Sequence, residues 1–212
     1  MLSKTFQRLP PERQRAFLDA CLEEFADHGY DTASTNRIVK RLGIAKGLLF
    51  KYAGSKERLF LHLYQEVLEE LGAIQGSSEL YRSPDLFGRL EELFEALLVY
   101  ATEHPLRYRF SLVATIGIDS AVFPKTEAIR NRVSAGSIGP LFEGVDWGLY
   151  RLSQAEVVEI FAWQLRGSRA TAIVELRKGF TMDRYLALIR SQLSLLRKLL
   201  RGGVYRTPED SP

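Results

Sequence analysis

The chain has 212 residues, 46% of them hydrophobic, and a formal net charge of +3. That composition excludes a disordered or low-complexity polymer and suits one medium globular domain or two small ones. No apolar run approaches the ~18 residues of a membrane-crossing helix, and Met1-Leu2-Ser3-Lys4 lacks the apolar run of a secretion signal, so a soluble, cytoplasmic protein is expected. Cys21 is the sole cysteine, which excludes an internal disulfide and a cysteine-cluster metal site.

Helical periodicity runs through the whole sequence, and an all-α fold is expected. Pro10 and Pro11 suit a first helical turn and Glu12 suits its positive end; Phe17, Cys21, Leu22 and Phe25 then form one stripe, which Gly29 stops. Ser34 or Thr35 caps a short second helix carrying Ile38, Val39 and Leu42, closed by Gly43. A third short helix spans Ala45 to about Tyr52, and Ser55 caps a long fourth through Leu59, Leu63, Val67 and Leu71. The polar stretch from Gly76 to Ser83 reads as a connector. Ser83-Pro84-Asp85 then starts a helix through Leu90, Phe94 and Leu97, and His104-Pro105 starts another. A helix through Ile129 and Val133 is expected to reach Trp147, kinked or divided at Pro140. Ser153 and Glu156 form a capping box, Gly179 ends that helix, and Thr181 opens a last one through Tyr185, Leu188 and Leu196.

Charge is unevenly distributed. Arg37, Lys40, Arg41, Lys46, Lys51, Lys56 and Arg58 face one acid, Glu57, within a single segment, while the rest of the chain is net acidic. Such a segment fits either a polyanion partner or a solvated helical surface. Two short helices across Gly43, with Ile44 plugging the space between them, follow the logic of a helix-turn-helix, with Ile38, Leu42, Ile44 and Leu49 as its small core. An enzyme is not expected: there is no glycine-rich phosphate loop, no G-x-S-x-G and no H-E-x-x-H. No cofactor is expected either, and the three histidines (His28, His62, His104) lie far apart, so no metal site is expected.

Phe25, Gly29-Tyr30, Thr35, Ile38, Leu42-Gly43-Ile44, Lys46-Gly47, Leu49-Phe50, Tyr52, Ser55-Lys56-Glu57 and Leu59 stand in one register, and together they resemble the tetracycline-repressor (TetR) family. The resemblance implies a three-helix DNA-binding domain over residues 1–54, linked by a helix at about 55–75 to a larger helical domain, 76–212, for ligand binding and dimerisation. It places Thr35 and Asn36 near a DNA phosphate, and Lys46, Gly47 and Leu48 at the front of the recognition helix. There Lys46 can donate to guanine O6 and N7, and Leu48 can touch a thymine methyl. Phe50 and Lys51 share that helix, and Tyr52 and Lys56 match phosphate-holding positions. Three departures stand out: Leu48 and Phe50 lack hydroxyls usual in the family, and Ala53 replaces a phenylalanine, so other side chains must fill the core beneath it.

The resemblance further implies a homodimer on a near-palindromic duplex, and repression relieved by a small apolar or amphipathic effector. The last two helices would build the subunit interface, helped by the small residues Gly167, Ser168, Ala170 and Ala172. Tyr100, His104, Tyr108, Trp147, Phe161 and Trp163 are the candidate pocket residues, ordinary core packing being the alternative for each. A second reading keeps the DNA-binding head and has the larger domain dock a protein, marked by an exposed apolar patch.

Overall fold

A computed structural model describes residues 2–116 and 120–177, with scattered positions from 181 to 195. Among these the regular elements are all helical: α1 (Lys4–Gln7), α2 (Pro11–Thr32), α3 (Thr35–Leu42), α4 (Lys46–Ala53), α5 (Lys56–Gln75), α6 (Leu86–Glu103), α7 (Pro105–Ile116), α8 (Phe123–Ser137), α9 (Gly139–Phe142) and α10 (Gln154–Arg177), with 3₁₀ turns at Ser78–Leu80 and Trp147–Leu149. The expected final helix, and the end at Gly179 of the one before it, lie largely outside the described residues, as do the side chains of Ser168, Ala170 and Ala172.

The chain divides into two compact units: Met1–Gly72 with Glu103–Gly136, and Ala73–Thr102 with Ser137–Pro212. The first unit therefore gathers α7 and most of α8 onto the N-terminal helices, where chain order alone suggested a boundary near residue 76. Aromatic packing explains the grouping. Phe110 of α7 is fully buried, its ring 5.4 Å from that of Phe60 and 6.3 Å from that of Phe25, while the Tyr64 hydroxyl lies 3.1 Å from Thr115 Oγ1. Ion pairs ring this core: Arg109 with Asp27, Arg107 with Glu70 at 2.6 Å, and Lys125 with Glu57 at 2.5 Å.

Helix boundaries in this unit follow local chemistry. Pro11 occupies the first turn of α2, and Gly29 interrupts that helix at φ +65°, a conformation costly for any residue with a Cβ. One more turn then carries the chain to Thr32. Helix α1 was absent from the sequence-based expectation. Ser3 caps it by accepting from the Phe6 N–H, while Leu2 and Phe6 enter the same core as Phe17 and Leu49.

The second unit is built on Leu86, Leu90, Leu93, Leu141, Tyr150, Val157 and Phe161, all buried. Asp85 accepts from the N–H groups of Phe87 and Gly88 at the start of α6, and the Tyr150 hydroxyl accepts from the Leu86 N–H at 2.7 Å. The helix expected to continue to Trp147 ends at Ser137. Gly139-Pro140 opens the single turn of α9, and Gly144 at φ +74° diverts the chain after it. Arg89, only 5% exposed, holds that diverted backbone by donating to the carbonyls of Pro140, Leu141 and Glu143. These carbonyls have no helical acceptor role to fill beyond the short α9, so the guanidinium satisfies them in place of further helix. The capping box at Ser153 and Glu156 is present, with the Ser153 N–H donating to Glu156 at 2.8 Å.

No described helix is long and apolar enough to cross a membrane.

Candidate nucleic-acid interface

Helix α3 is set on α2 by a buried carboxylate. Glu24, 3% exposed, accepts from the Ser34 N–H at 2.7 Å and from Arg37 through Nε at 2.9 Å and Nη2 at 2.6 Å. Burial raises its pKa, but the Arg37 hydrogen bonds, the Ser34 N–H and the charges of Arg37 and His28 outweigh burial and hold the carboxyl below its ordinary range. Ser34 caps α3 by accepting from the Arg37 N–H, so one serine is fixed through both its backbone and its hydroxyl. Glu24 escaped the sequence reading although its signal was there. It lies three residues after Cys21 and seven after Phe17, a charged residue on a core-facing stripe.

The turn into α4 is as the sequence demands. Gly43 closes α3 in the left-handed region at φ +63°, its N–H returning to Lys40 and Val39, and the Ile44 N–H donates to the Val39 carbonyl at 3.1 Å. Helix α4 then buries Leu49, Tyr52 and Ala53 and turns Lys46, Gly47 and Lys51 to solvent. A Cβ added at Gly47 would meet nothing within 4 Å, so the front of the helix is open to a close partner. Leu48 and Phe50 are half-buried against the unit's core, which leaves each a packing role and a partly exposed edge.

Thr35 is half-buried, and Asn36 is exposed one residue later at the start of α3. The basic residues separate into two groups. Arg37 is paired with Glu24 and Arg41 with Glu23. Lys56 donates to the carbonyls of Ala33 at 2.8 Å and Asp31 at 3.2 Å, and its ammonium stands 4.7 Å from the Tyr30 ring centroid. By contrast, Lys40, Lys46 and Lys51 are exposed, and their side chains have no hydrogen bond or ion pair among the described residues.

Tyr52 and Lys56, both expected at phosphates, are thus engaged within the protein. Tyr52 is 9% exposed, and its ring meets those of Phe6 and Phe17 edge-on at 5.8 and 5.6 Å. Leu2 and Phe6 of the unforeseen first segment join the same core as Tyr52 and Ala53, with the Phe6 ring against Tyr52 in the last turn of α4.

The candidate pocket residues are divided between the two units. In the second unit, Phe161 is buried 5.7 Å from the Phe142 ring, and Trp147 is half-buried 6.3 Å from the Tyr150 ring. Tyr100 is buried, but Trp163 is 61% exposed on α10 and so faces outward from that core. His104 and Tyr108 belong to the first unit, the former exposed and the latter buried. An open groove of the second unit is lined by Ile74, Leu80, Ala96 and Val99 with Glu79, Glu92 and Glu95, and includes none of the expected residues.

Residues 17–63 match a family model described as bacterial regulatory proteins, tetR family. Over that segment the chain is similar to the tetR family. The matched segment runs from Phe17 to Leu63 and contains the whole of α3 and α4 with the parts of α2 and α5 that flank them. Among curated proteins, the chain is 29% identical over 90 residues to an HTH-type transcriptional repressor of Mycobacterium tuberculosis, covering 39% of this chain and 48% of that protein. It is 32% identical over 104 residues to the HTH-type transcriptional activator FasR of Mycolicibacterium smegmatis, covering 48% and 47%. The chain spans about half the length of the curated relatives it matches. Among solved structures, a TetR family transcriptional regulator from Chloroflexus aurantiacus aligns over 98% of this chain and 100% of its own with a TM-score of 0.70 at 22% identity, which shows the shared fold.

Proposed function

We propose that this chain is a TetR-family protein and regulates transcription by docking α4 in the major groove of a near-palindromic DNA duplex as a homodimer. One observation carries the reading. Among the basic residues of the two short helices, the exposed lysines (Lys40, Lys46, Lys51) have no side-chain partner among the described residues, whereas Arg37 and Arg41 are held by carboxylates within the fold. Lys46 and Gly47 at the front of α4 read base edges, with the exposed edge of Leu48 beside them. Lys51, Thr35, Asn36 and the partly exposed Phe50 line the approach to the backbone. Tyr52 and Lys56 act mainly by fixing α4 and the start of α5, and their hydroxyl and charge are secondary phosphate contacts.

The large apolar side chains of Trp163 and Leu195, 61% and 62% exposed, support a subunit interface on the second unit. That unit responds to a small apolar or amphipathic effector, with Tyr100, Trp147 and Phe161 as its candidate contacts. Effector binding shifts the population toward head spacings that no longer fit both half-sites, and repression is relieved in the cytoplasm. The exposed Val99 beside the open groove of the second unit favours a second reading, in which a protein partner docks there.

Selection of bound sequences from a pool of random duplexes tests the function. A near-palindrome with two half-sites supports it; recovery of no shared sequence overturns it.

A further inference from the structure

The segment ahead of α2 is an ordered part of the head, and it is docked on α4. The Ser3 N–H donates to the Tyr52 carbonyl at 2.9 Å, so the backbone at residue 3 touches the last turn of the recognition helix. Phe6 packs against Tyr52 and Phe17, and Gln14 Nε2 donates to the carbonyls of Leu9 at 2.8 Å and Gln7 at 3.2 Å, tying the other end of the segment to α2. With Leu2 and Phe6 turned inward, Lys4 and Arg8 are exposed, and neither has a hydrogen-bonding or ionic partner through its side chain among the described residues.

The dimensions place these two cations. Helix α4 has eight residues, hence a length of about 12 Å at ~1.5 Å per residue, which matches the ~12 Å width of the major groove. A helix of that length whose front reads bases has its far end at the groove wall, where phosphates line up. Whatever is docked on that far end lies at the same wall.

We infer that residues 2–9 are a second DNA-contacting element, in which Lys4 and Arg8 hold phosphates bordering the groove that α4 enters. The inference rests on the DNA-binding reading of α4. The hydrogen bonds that fix the segment before DNA arrives mean that little chain ordering opposes the contact. Because phosphates are the same in every sequence, these cations add affinity and salt dependence without adding sequence preference.

The test uses the full-length chain and a duplex it has enriched from a random pool, titrated across a range of salt. Removing one phosphate-binding cation should flatten the slope of log affinity against log salt by about 0.9 and weaken binding about eightfold at ~0.1 M salt. In the homodimer the double variant Lys4→Gln, Arg8→Gln removes four such cations, two from each subunit, and is expected to show the weakening of all four, equally on the enriched duplex and on one with scrambled half-sites, with thermal unfolding unchanged. If the double variant has the parent's slope and affinity, the segment only braces α4 and the inference is overturned. If the parent enriches no duplex at all, the DNA-binding reading fails first and takes this inference with it.

Discussion

Replacing Glu24 by glutamine removes one charge from the joint between α2 and α3 and changes almost no volume. The carboxylate is 3% exposed and accepts from the Ser34 N–H and twice from Arg37. Glutamine keeps one acceptor oxygen and places an NH₂ group where a second acceptor stood, against the Arg37 guanidinium. A hydrogen bond to a charged group contributes about 1.5–3 kcal/mol net. Because Arg37 is half-exposed and can turn to water, the lower part of that range applies, roughly 2 kcal/mol for Glu24→Gln at neutral pH. The pH dependence is the sharper signature. The Glu24 pKa lies below its ordinary value in the folded protein, so the unfolded chain binds the proton more readily. Its contribution is therefore complete above the unfolded carboxyl pKa of about 4.3 and is lost as pH falls through the folded value. Urea unfolding of parent and Glu24→Gln between pH 3 and 7 should show a gap that is constant above about pH 5 and shrinks toward pH 3. A gap that is absent at neutral pH, or as large at pH 3 as at pH 7, refutes the assignment.

Three further substitutions probe the same framework. Gly43→Ala should lower stability by about 1 kcal/mol in urea unfolding, purely from the left-handed backbone, because an added Cβ meets nothing within 4 Å; Gly43→Asn should recover part of the deficit. Gly88→Ala should destabilise the second unit by about 1–3 kcal/mol, since its Cβ would lie 2.8 Å from Ser83 Cβ and displace the serine that precedes α6. Lys56→Ala should lower the unfolding free energy by about 1 kcal/mol by removing its carbonyl hydrogen bonds and its packing over Tyr30, whereas a residue acting on DNA alone would leave unfolding unchanged.

Much of the head was readable because its boundaries are set by residues with few conformational choices. Gly29 and Gly43 both take positive φ, Ser34 and Ser55 both accept the first-turn N–H they stand three residues before, and Ile38 and Leu49 are buried as their spacing requires. What sequence did not reveal depends on tertiary partners. Whether a lysine is free or engaged is invisible in a charge count, so Lys46 and Lys56 looked alike until the carbonyls of Asp31 and Ala33 came beside one of them. Phe6 carried too little periodic context to announce α1, because a single turn has no repeat. The helix is divided beside Pro140, as expected, but its second piece stops at Phe142 short of Trp147, where Arg89, distant in sequence, satisfies the carbonyls of Pro140, Leu141 and Glu143. The pocket was least readable: aromatic residues at helical spacing look the same whether they fill a core, as Phe161 does, or face outward, as Trp163 does.

If α4 reads sequence through its open front, Lys46 is the residue to remove. It is exposed and without a partner among the described residues, so its removal leaves the fold intact. Duplex selection with Lys46→Ala beside the parent is the most direct measurement. The variant is expected to lose preference at one or two symmetric positions of the half-sites, at a cost of about 1–3 kcal/mol for the parent's preferred base pair. Identical preferences and affinities for the two proteins would contradict a sequence-reading α4.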